Sequence, residues 1–532
     1  AAQGAFNPFN PFNQDISGGS RIRLAEFGNR IYHNRNTAFA FTEGVTVNNI
    51  ADKWNLDAKI RFSSITNQSN IRLISTSRFL RALNANDPIF NPASPSFIGT
   101  TTPYNPFGFF RNAIPTNAVP VAFATHFQRD ENSSTMADAG VGLNTGELFS
   151  LPAGDVGFAL GVDFRREAIN QAPDSTLQAG DILGAPPAAP IERQRKIGSY
   201  FAEAEIPVFS DKHSAGFAKA LSLNIAARYE SFFTSSRHAF VPKIGLRWMP
   251  KDETLVFRTS WGKGFAEPSL YQLFSGKVAG LTPITDPVTG NFEPEQNVTV
   301  TGNKALQSET SKSYNLGVVW SPKGALEGFT LAVDAWQIQR SGQVLGNVGD
   351  FKVNGLDLAT SYIWRTESAG RFEAGVNAIM LNRFDYQTAP TLASFNYVGQ
   401  QDPRASPGDD GILKWKGQGW VGWNYHGFNT RLTANYTGGF VDFTDSDDPV
   451  GTAFKVKSTI FYDLQMSYTF FPSKSSADRT WWSDLKATAG VTNLFDKDPP
   501  FASGGGGNSN GYPGFLYTDV GRFVYFGLEK KL

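Results

Sequence analysis

The sequence contains no cysteine and only four methionines among its 532 residues. Disulfides, thiolate metal sites and cysteine nucleophiles are thereby excluded together. It also lacks net charge, with 48 Lys+Arg against 48 Asp+Glu. Nucleic acid is therefore not an expected partner, because its capture needs a basic surface. No apolar run approaches the ~18 residues of a membrane-crossing helix, and the mean hydropathy is −0.27. Neither observation speaks against a β-barrel, whose strands alternate apolar and polar residues and average out hydrophilic. Residues 1–10 (AAQGAFNPFN) lack the basic start and apolar core of a signal peptide. The front end is thus expected to be processed, or the chain to be part of something longer. Length alone suggests three or four domains of about 150 residues. Yet no charged linker, Ser/Gly-rich hinge or shift in composition marks a boundary.

What is abundant is Phe (45), Gly (52) and Trp (11), set in strict alternation. Leu221, Leu223, Ile225, Ala227 and Tyr229 share one face, and Ser222, Asn224, Ala226, Arg228 and Glu230 the other. Residues 200–208 repeat the pattern, with Tyr200, Ala202, Ala204, Ile206 and Val208 opposite Glu203 and Glu205. Residues 460–468 do so again, setting Ile460, Tyr462, Leu464, Met466 and Tyr468 against Asp463, Gln465 and Ser467. Period two is the strand signal. The longer segments run for about ten residues, enough for a tilted strand to cross hydrocarbon. Charges on the second face would be costly inside a small soluble barrel but stay solvated in a wide lumen. The fold class that follows is all-β, an antiparallel transmembrane barrel.

About seventeen or eighteen strands are expected, starting near 36, 53, 134, 155, 196, 219, 238, 252, 308, 326, 351, 369, 413, 428, 456, 481 and 516. Residues 21–30 are left open between a further strand and a loop arm, so 1–35 form a leading segment and 36–532 the barrel. Connections alternate between short and long, as outer-membrane barrels require. The long ones lie near 67–132, 169–194, 266–307, 387–412, 443–455 and 500–515. Residues 71–84 read as a helix inside the first. Trp320, Trp415, Trp423, Tyr425, Trp481 and Trp482 sit near strand ends and suit an interfacial belt.

Chemistry-bearing motifs are scarce. Asp445, Asp447 and Asp448 could hold a divalent cation, although a solvated loop explains them as well. The five histidines are far apart. Gly417, Gly419 and Gly422 match a dinucleotide fingerprint in spacing, but strand residues surround them and no helix follows. Neither catalysis nor a cofactor is expected.

Several passages resemble the TonB-dependent receptors of Gram-negative outer membranes. Residues 259–274 (TSWGKGFAEPSLYQLF) are similar to that family's strand-to-loop passage, and 490–501 (GVTNLFDKDPPF) to its Asn-Leu-Phe-Asp-Lys segment. Residues 309–320 (ETSKSYNLGVVW), 146–168 and the closing GRFVYFGLEKKL add to this, so the resemblance spans most of 134–532. The Asn-Pro-Phe wording at 7–12 and 104–109 resembles the Oar-like subgroup. The closing strand departs from the family's usual aromatic ending, with Lys530 and Leu532 at its end.

The resemblance implies a twenty-two-stranded barrel behind a plug and a TonB box. Neither of the latter is recognisable here, so the chain is expected to be the C-terminal portion, without the plug. It further implies energised uptake of a scarce nutrient, whether siderophore, cobalamin, oligosaccharide or peptide. The implied partners are outer-membrane lipid and lipopolysaccharide, the nutrient, and TonB through the missing N-terminal region. A passive porin and a surface adhesion protein are the alternatives. Ligand contacts would come from aromatics of the long loops: Tyr104, Phe107, Phe109, Phe110, Tyr271, Phe274, Phe395, Tyr397 and Tyr512. Packing of loop on loop is the competing role for each.

Overall fold

The computed structural model describes residues 7–11, 24–107, 114–235, 237–276, 278–285, 292–343, 349–387, 393–401, 411–442, 454–471, 483–502 and 511–530. One antiparallel sheet dominates it. We number its barrel strands in chain order. β1 is Tyr32–Ile50, β2 Trp54–Ile74, β3 Thr125–Thr145, β4 Gly157–Ala172 and β5 Ile191–Phe209. β6 is Ala220–Phe232, β7 Arg237–Met249, β8 Leu255–Ala266, β9 Glu309–Trp320, β10 Phe329–Gln343 and β11 Gly349–Thr366. β12 is Gly370–Gln387, β13 Trp415–Tyr425, β14 Phe428–Thr437, β15 Thr459–Phe470, β16 Leu485–Thr492 and β17 Phe523–Lys530. The two-residue strand Phe395–Asn396 beside β12 brings the sheet to eighteen. Each barrel strand pairs with the next in sequence. Among the described residues no ladder joins β1 to β17.

All seventeen expected strands are present. The departures lie at the long-loop end. β2 runs on to Ile74 and β3 begins at Thr125, paired from Asn55↔Asn144 to Ile74↔Thr125, so the first long connection is 75–124 rather than 67–132. Thr66, Gln68 and Asn70 carry no apolar period, yet the ladder continues through them because a strand clear of hydrocarbon can be polar on both faces. Only Thr76–Leu83 is helical within 71–84 (α1), capped by the Ser75 hydroxyl, which accepts from Arg78 N–H at 3.3 Å. The last strand starts at Phe523, not near 516, because Leu516 and Tyr517 pack instead into a loop core with Leu413, Phe440 and Val456. Burial raises the Tyr517 phenol to about 12. Residues 24–30 hold a short 3-10 turn, Ala25–Phe27, in place of a strand.

The two faces of the sheet follow from alternation. Leu223, Ile225, Ile244, Leu246, Leu316 and Leu356 point outward, while Arg228, Arg258, Asp138, Asp163 and Asp334 point into the lumen. At the short-turn end the outward face carries a belt of rings. Trp320 meets Phe329 at 5.7 Å, Trp364 meets Phe372 at 5.6 Å, and Trp423 lies 5.9 Å from Tyr425 and 5.7 Å from Phe428. Such rings favour a membrane interface, one side apolar and one wet. Trp320, Trp423 and Tyr425 thus occupy the belt expected of them. Trp415 is outward at the opposite end, and Trp481 and Trp482 fall outside the described residues.

The long-loop end has its own small cores. α1 and Ala118–Ala124 (α2) enclose Phe27, Phe79, Leu83 and Tyr104. The Asn7 side chain seals them by donating to the carbonyls of Leu83 (2.9 Å) and Tyr104 (3.0 Å).

Candidate functional site

The lumen wall is charged, and most of its charges are pinned in pairs across strands. Arg61 and Asp138 face each other in register and bond through Nε at 2.8 Å. Arg258 on β8 reaches Asp334 on β10 (Nε to Oδ1, 2.9 Å) by passing over Gly317 of β9, where any Cβ would strike the carboxylate. Lys59 and Asp163 span Gly140 in the same way at 3.8 Å. Near the long-loop end, Glu167 holds Arg165 (2.9 Å) and Arg195 (2.7 Å). A wall of matched pairs is wet but weakly attractive to an ion in transit, since each charge already has a counter-charge.

The exceptions lie at the mouth, and residues 259–274 build it. β8 ends at Ala266, and Glu267 then accepts from Arg237 at 2.8 Å. The Pro268 carbonyl accepts from Arg195 at 2.7 Å. Ser269 and Gln272 form a reciprocal capping box that starts the five-residue helix Leu270–Phe274. Leu270 and Leu273 are buried, which leaves Tyr271 and Phe274 on the open side. Arg193 lies 5.2 Å and Lys304 5.8 Å from the Phe274 ring centroid. Among the described ion pairs neither cation has a carboxylate partner. An aromatic ring flanked by two cations at the top of a lumen can bind an anion with a planar face.

The expected aromatics divide clearly. Phe274 stands between the two cations, and Tyr271 (49% exposed) and Phe395 (50%) are open to solvent. Phe107 is also exposed. Tyr104 (3%) and Tyr397 (6%) are buried in loop cores, and Tyr512 is half-buried against the third such core. Those rings pack against loop residues. Phe109, Phe110, Asp445, Asp447 and Asp448 fall outside the described residues. Among the described residues no cluster of three His, Asp or Glu could hold a metal. Sequence reasoning missed Arg193 and Lys304. Alternation along β5 does put Arg193 on the Arg195 face, but only the fold brings Lys304, more than a hundred residues later, to the same ring.

Two carboxylates of the second long loop fasten it, Asp181 to the first long loop and Asp174 to the top of β3. Asp181 accepts from the Ser75 hydroxyl (2.6 Å), the Ser77 N–H (2.6 Å) and the Ser77 hydroxyl (2.8 Å). Asp174 accepts from the Thr176 N–H (2.9 Å) and Arg129 N–H (3.2 Å), with His126 Nε2 2.9 Å away. Burial raises both carboxyls, and these hydrogen bonds outweigh it, so both end below their ordinary 3.8. A depressed folded value contributes stability that is complete above 3.8 and is lost as pH falls below it. Backbone amides of 75–84 and 173–181 should therefore lose hydrogen-exchange protection at pH 3 relative to pH 6, and Asp181→Asn should remove most of that pH dependence.

Residues 2–494 match the family described as TonB dependent receptor-like, beta-barrel. Two solved structures show the same architecture, both of mutants of the ferric enterobactin receptor PfeA of Pseudomonas aeruginosa. One has 16% identity and a TM-score of 0.57, covering 93% of this chain and 61% of that one. The other, in complex with enterobactin, has 15% identity and a TM-score of 0.56, covering 95% and 72%. At such identity the likeness is one of fold. This chain spans less than two thirds of the first receptor's length. No curated protein sequence matches. A family match over nearly the whole chain, a sheet of consecutive antiparallel strands and a ringed outer face agree, and the chain belongs to the TonB-dependent receptor β-barrel family.

Proposed function

We propose that the chain is the barrel of an outer-membrane receptor that captures a scarce anionic nutrient at its extracellular mouth. The nutrient then passes through the lumen when TonB acts on the receptor. The observation that carries the reading is the Phe274 ring between Arg193 and Lys304. Two cations with no carboxylate partner among the described residues, beside a π-face, suit a ferric catecholate or a similar anionic chelate better than a neutral oligosaccharide. Arg195 stays engaged with Glu167 and Pro268 and serves as the frame.

The test is binding of a ferric catecholate siderophore to the full receptor. Removing two charge-assisted contacts should weaken affinity by roughly a hundredfold in Arg193→Ala/Lys304→Ala. Binding of a neutral ligand such as a maltooligosaccharide should be absent in both proteins. Unchanged siderophore affinity in the double variant sinks the ligand class. Uptake that persists without TonB sinks the receptor reading and favours a passive channel.

A further inference from the structure

The chain that leaves the mouth helix comes back to it through residues 301–308, and this return is fastened at several points. Within the intervening hairpin, Val278–Thr285 pairs with Phe292–Val300, and the ladder reaches its base at Val278↔Val300. The backbone stays in contact beyond that rung. The Gly302 N–H donates to the Ser275 carbonyl at 2.8 Å, and the Asn303 N–H to the Gln272 carbonyl at 2.9 Å. A Cβ on Gly302 would stand 2.6 Å from the Ser275 nitrogen and 2.7 Å from that of Phe274. No side chain fits between the two segments there. Leu306, just beyond, is buried.

One guanidinium closes this base from the barrel side. Arg237, the first residue of β7, donates from Nη1 to Glu267 Oε1 at 2.8 Å and from Nη2 to the Lys304 carbonyl at 2.9 Å. The second Glu267 oxygen accepts from the Ser308 hydroxyl. The start of β7, the end of β8 and the returning segment thus meet at one side chain. The Arg237 and Glu267 side chains are only 16% and 5% exposed, so water screens the pair far less than a surface pair. The planar fork of arginine serves a carboxylate and a carbonyl at once, which the point charge of a lysine does not.

The consequence falls on Lys304. Its own carbonyl is held by Arg237, and the two residues before it are held by the helix that carries Phe274. Its ammonium stands 5.8 Å from the Phe274 ring centroid. With the main chain fixed, only side-chain rotamers remain to be ordered when an anion arrives, which lowers the entropic cost of capture. The charge of Arg237 is offset by Glu267, so Arg237 supplies placement and leaves attraction to Lys304 and Arg193.

We propose that Arg237 is a positioning residue for anion capture, acting through Lys304; this rests on the reading of the mouth as an anion site. The test is a double-mutant cycle on the full receptor, read by affinity for a ferric catecholate siderophore. Lys304→Ala and Arg237→Gln should each weaken binding roughly tenfold, and the double variant should lose no more than either alone. A cation that touched the ligand itself, or a general loss of stability, would instead add to the Lys304 effect and give about a hundredfold.

Hydrogen exchange on the unliganded receptor supplies a readout that needs no ligand. Amides of 302–306 should lose about tenfold in protection in Arg237→Gln and keep it in Lys304→Ala. Heat-modifiable gel mobility reports whether each barrel is folded. Should Arg237→Gln fail to fold, Arg237→Lys takes its place, since it keeps a charge for Glu267 but lacks the second arm to the Lys304 carbonyl. Additive losses in the double variant, or unchanged protection of 302–306, would overturn the Arg237 assignment alone. Wild-type affinity in Lys304→Ala would overturn the anion site itself, and any part of Arg237 in capture with it.

Discussion

Gly370→Ala should cost about 3 kcal/mol and leave little folded barrel. Gly370 closes the periplasmic turn after β11 with φ +82, a conformation that costs an L side chain about 1–2 kcal/mol. An added Cβ would also strike the Asn424 carbonyl on β13 and stand 2.9 Å from the Tyr425 ring, an overpacking worth another 1–3 kcal/mol or so. Neither neighbour can yield. Asn424 is held in the ladder opposite Arg371, and Trp423 donates to the Ala369 carbonyl of the same turn at 2.7 Å. Denaturant unfolding in detergent micelles measures the loss. Gly514→Ala is the control, because nothing lies within 4 Å of the added carbon there, and it should fall within about 0.5 kcal/mol of wild type. A Gly370→Ala protein as stable as that control would mean that this turn is not as described.

Tyr104→Ala should release the first extracellular loop while sparing the barrel. The Tyr104 ring meets Phe79 edge-on at 5.3 Å and Phe27 at 6.2 Å, and its backbone N–H bonds the Ala82 carbonyl at 2.8 Å. Removing a buried aromatic costs about 3–5 kcal/mol, more than a loop core of this size can lose. Burial and the nearby Glu26 carboxylate hold the Tyr104 phenol far above its ordinary value, so it stays neutral at every physiological pH. Hydrogen exchange should show amides of 75–107 and 114–124 losing protection, while gel mobility of the barrel stays heat-modifiable. Tyr104→Phe should keep most of that protection. The alternative, a ring that contacts ligand directly, predicts the reverse: weakened binding with the loop still protected.

These two residues show what a sequence can reveal in this fold. Alternation exposed the strands, because a sheet with hydrocarbon on one side and water on the other writes its period into every crossing, as Leu223, Ile225 and Arg228 do. It fell silent above the membrane. There β2 and β3 continue through Ser, Thr and Asn with the same ladder but no solvent contrast, so their tops read as loop. The mouth was half legible. Residues 259–274 were recognisable as a passage, and Phe274 was among the aromatics singled out. Its neighbours Arg193 and Lys304 come from two other chain segments, and their meeting depends on loop closure that no local pattern records. Tyr104 and Phe274 look alike in sequence. One is buried by α1 and α2, and the other lies on a five-residue helix with two cations beside its ring, so their surroundings differ where their residue types suggest no difference.

The unjoined margins of the sheet bear on the order of folding. Every internal pairing is between chain neighbours, so hairpins such as β1–β2 and β13–β14 can close over a few residues at small entropic cost. Among the described residues, the 19 of β1 and the 8 of β17 have a ladder partner on one side only, and Phe526 and Leu528 are 82% and 78% exposed. A strand that completes either margin pairs over a longer sequence separation than a hairpin does, which makes that step slow relative to hairpin closure. Until it happens, two rows of free backbone donors and acceptors are templates for any passing strand. The interval between the last hairpin and the first edge contact is therefore the period in which this polypeptide most needs a chaperone's shelter.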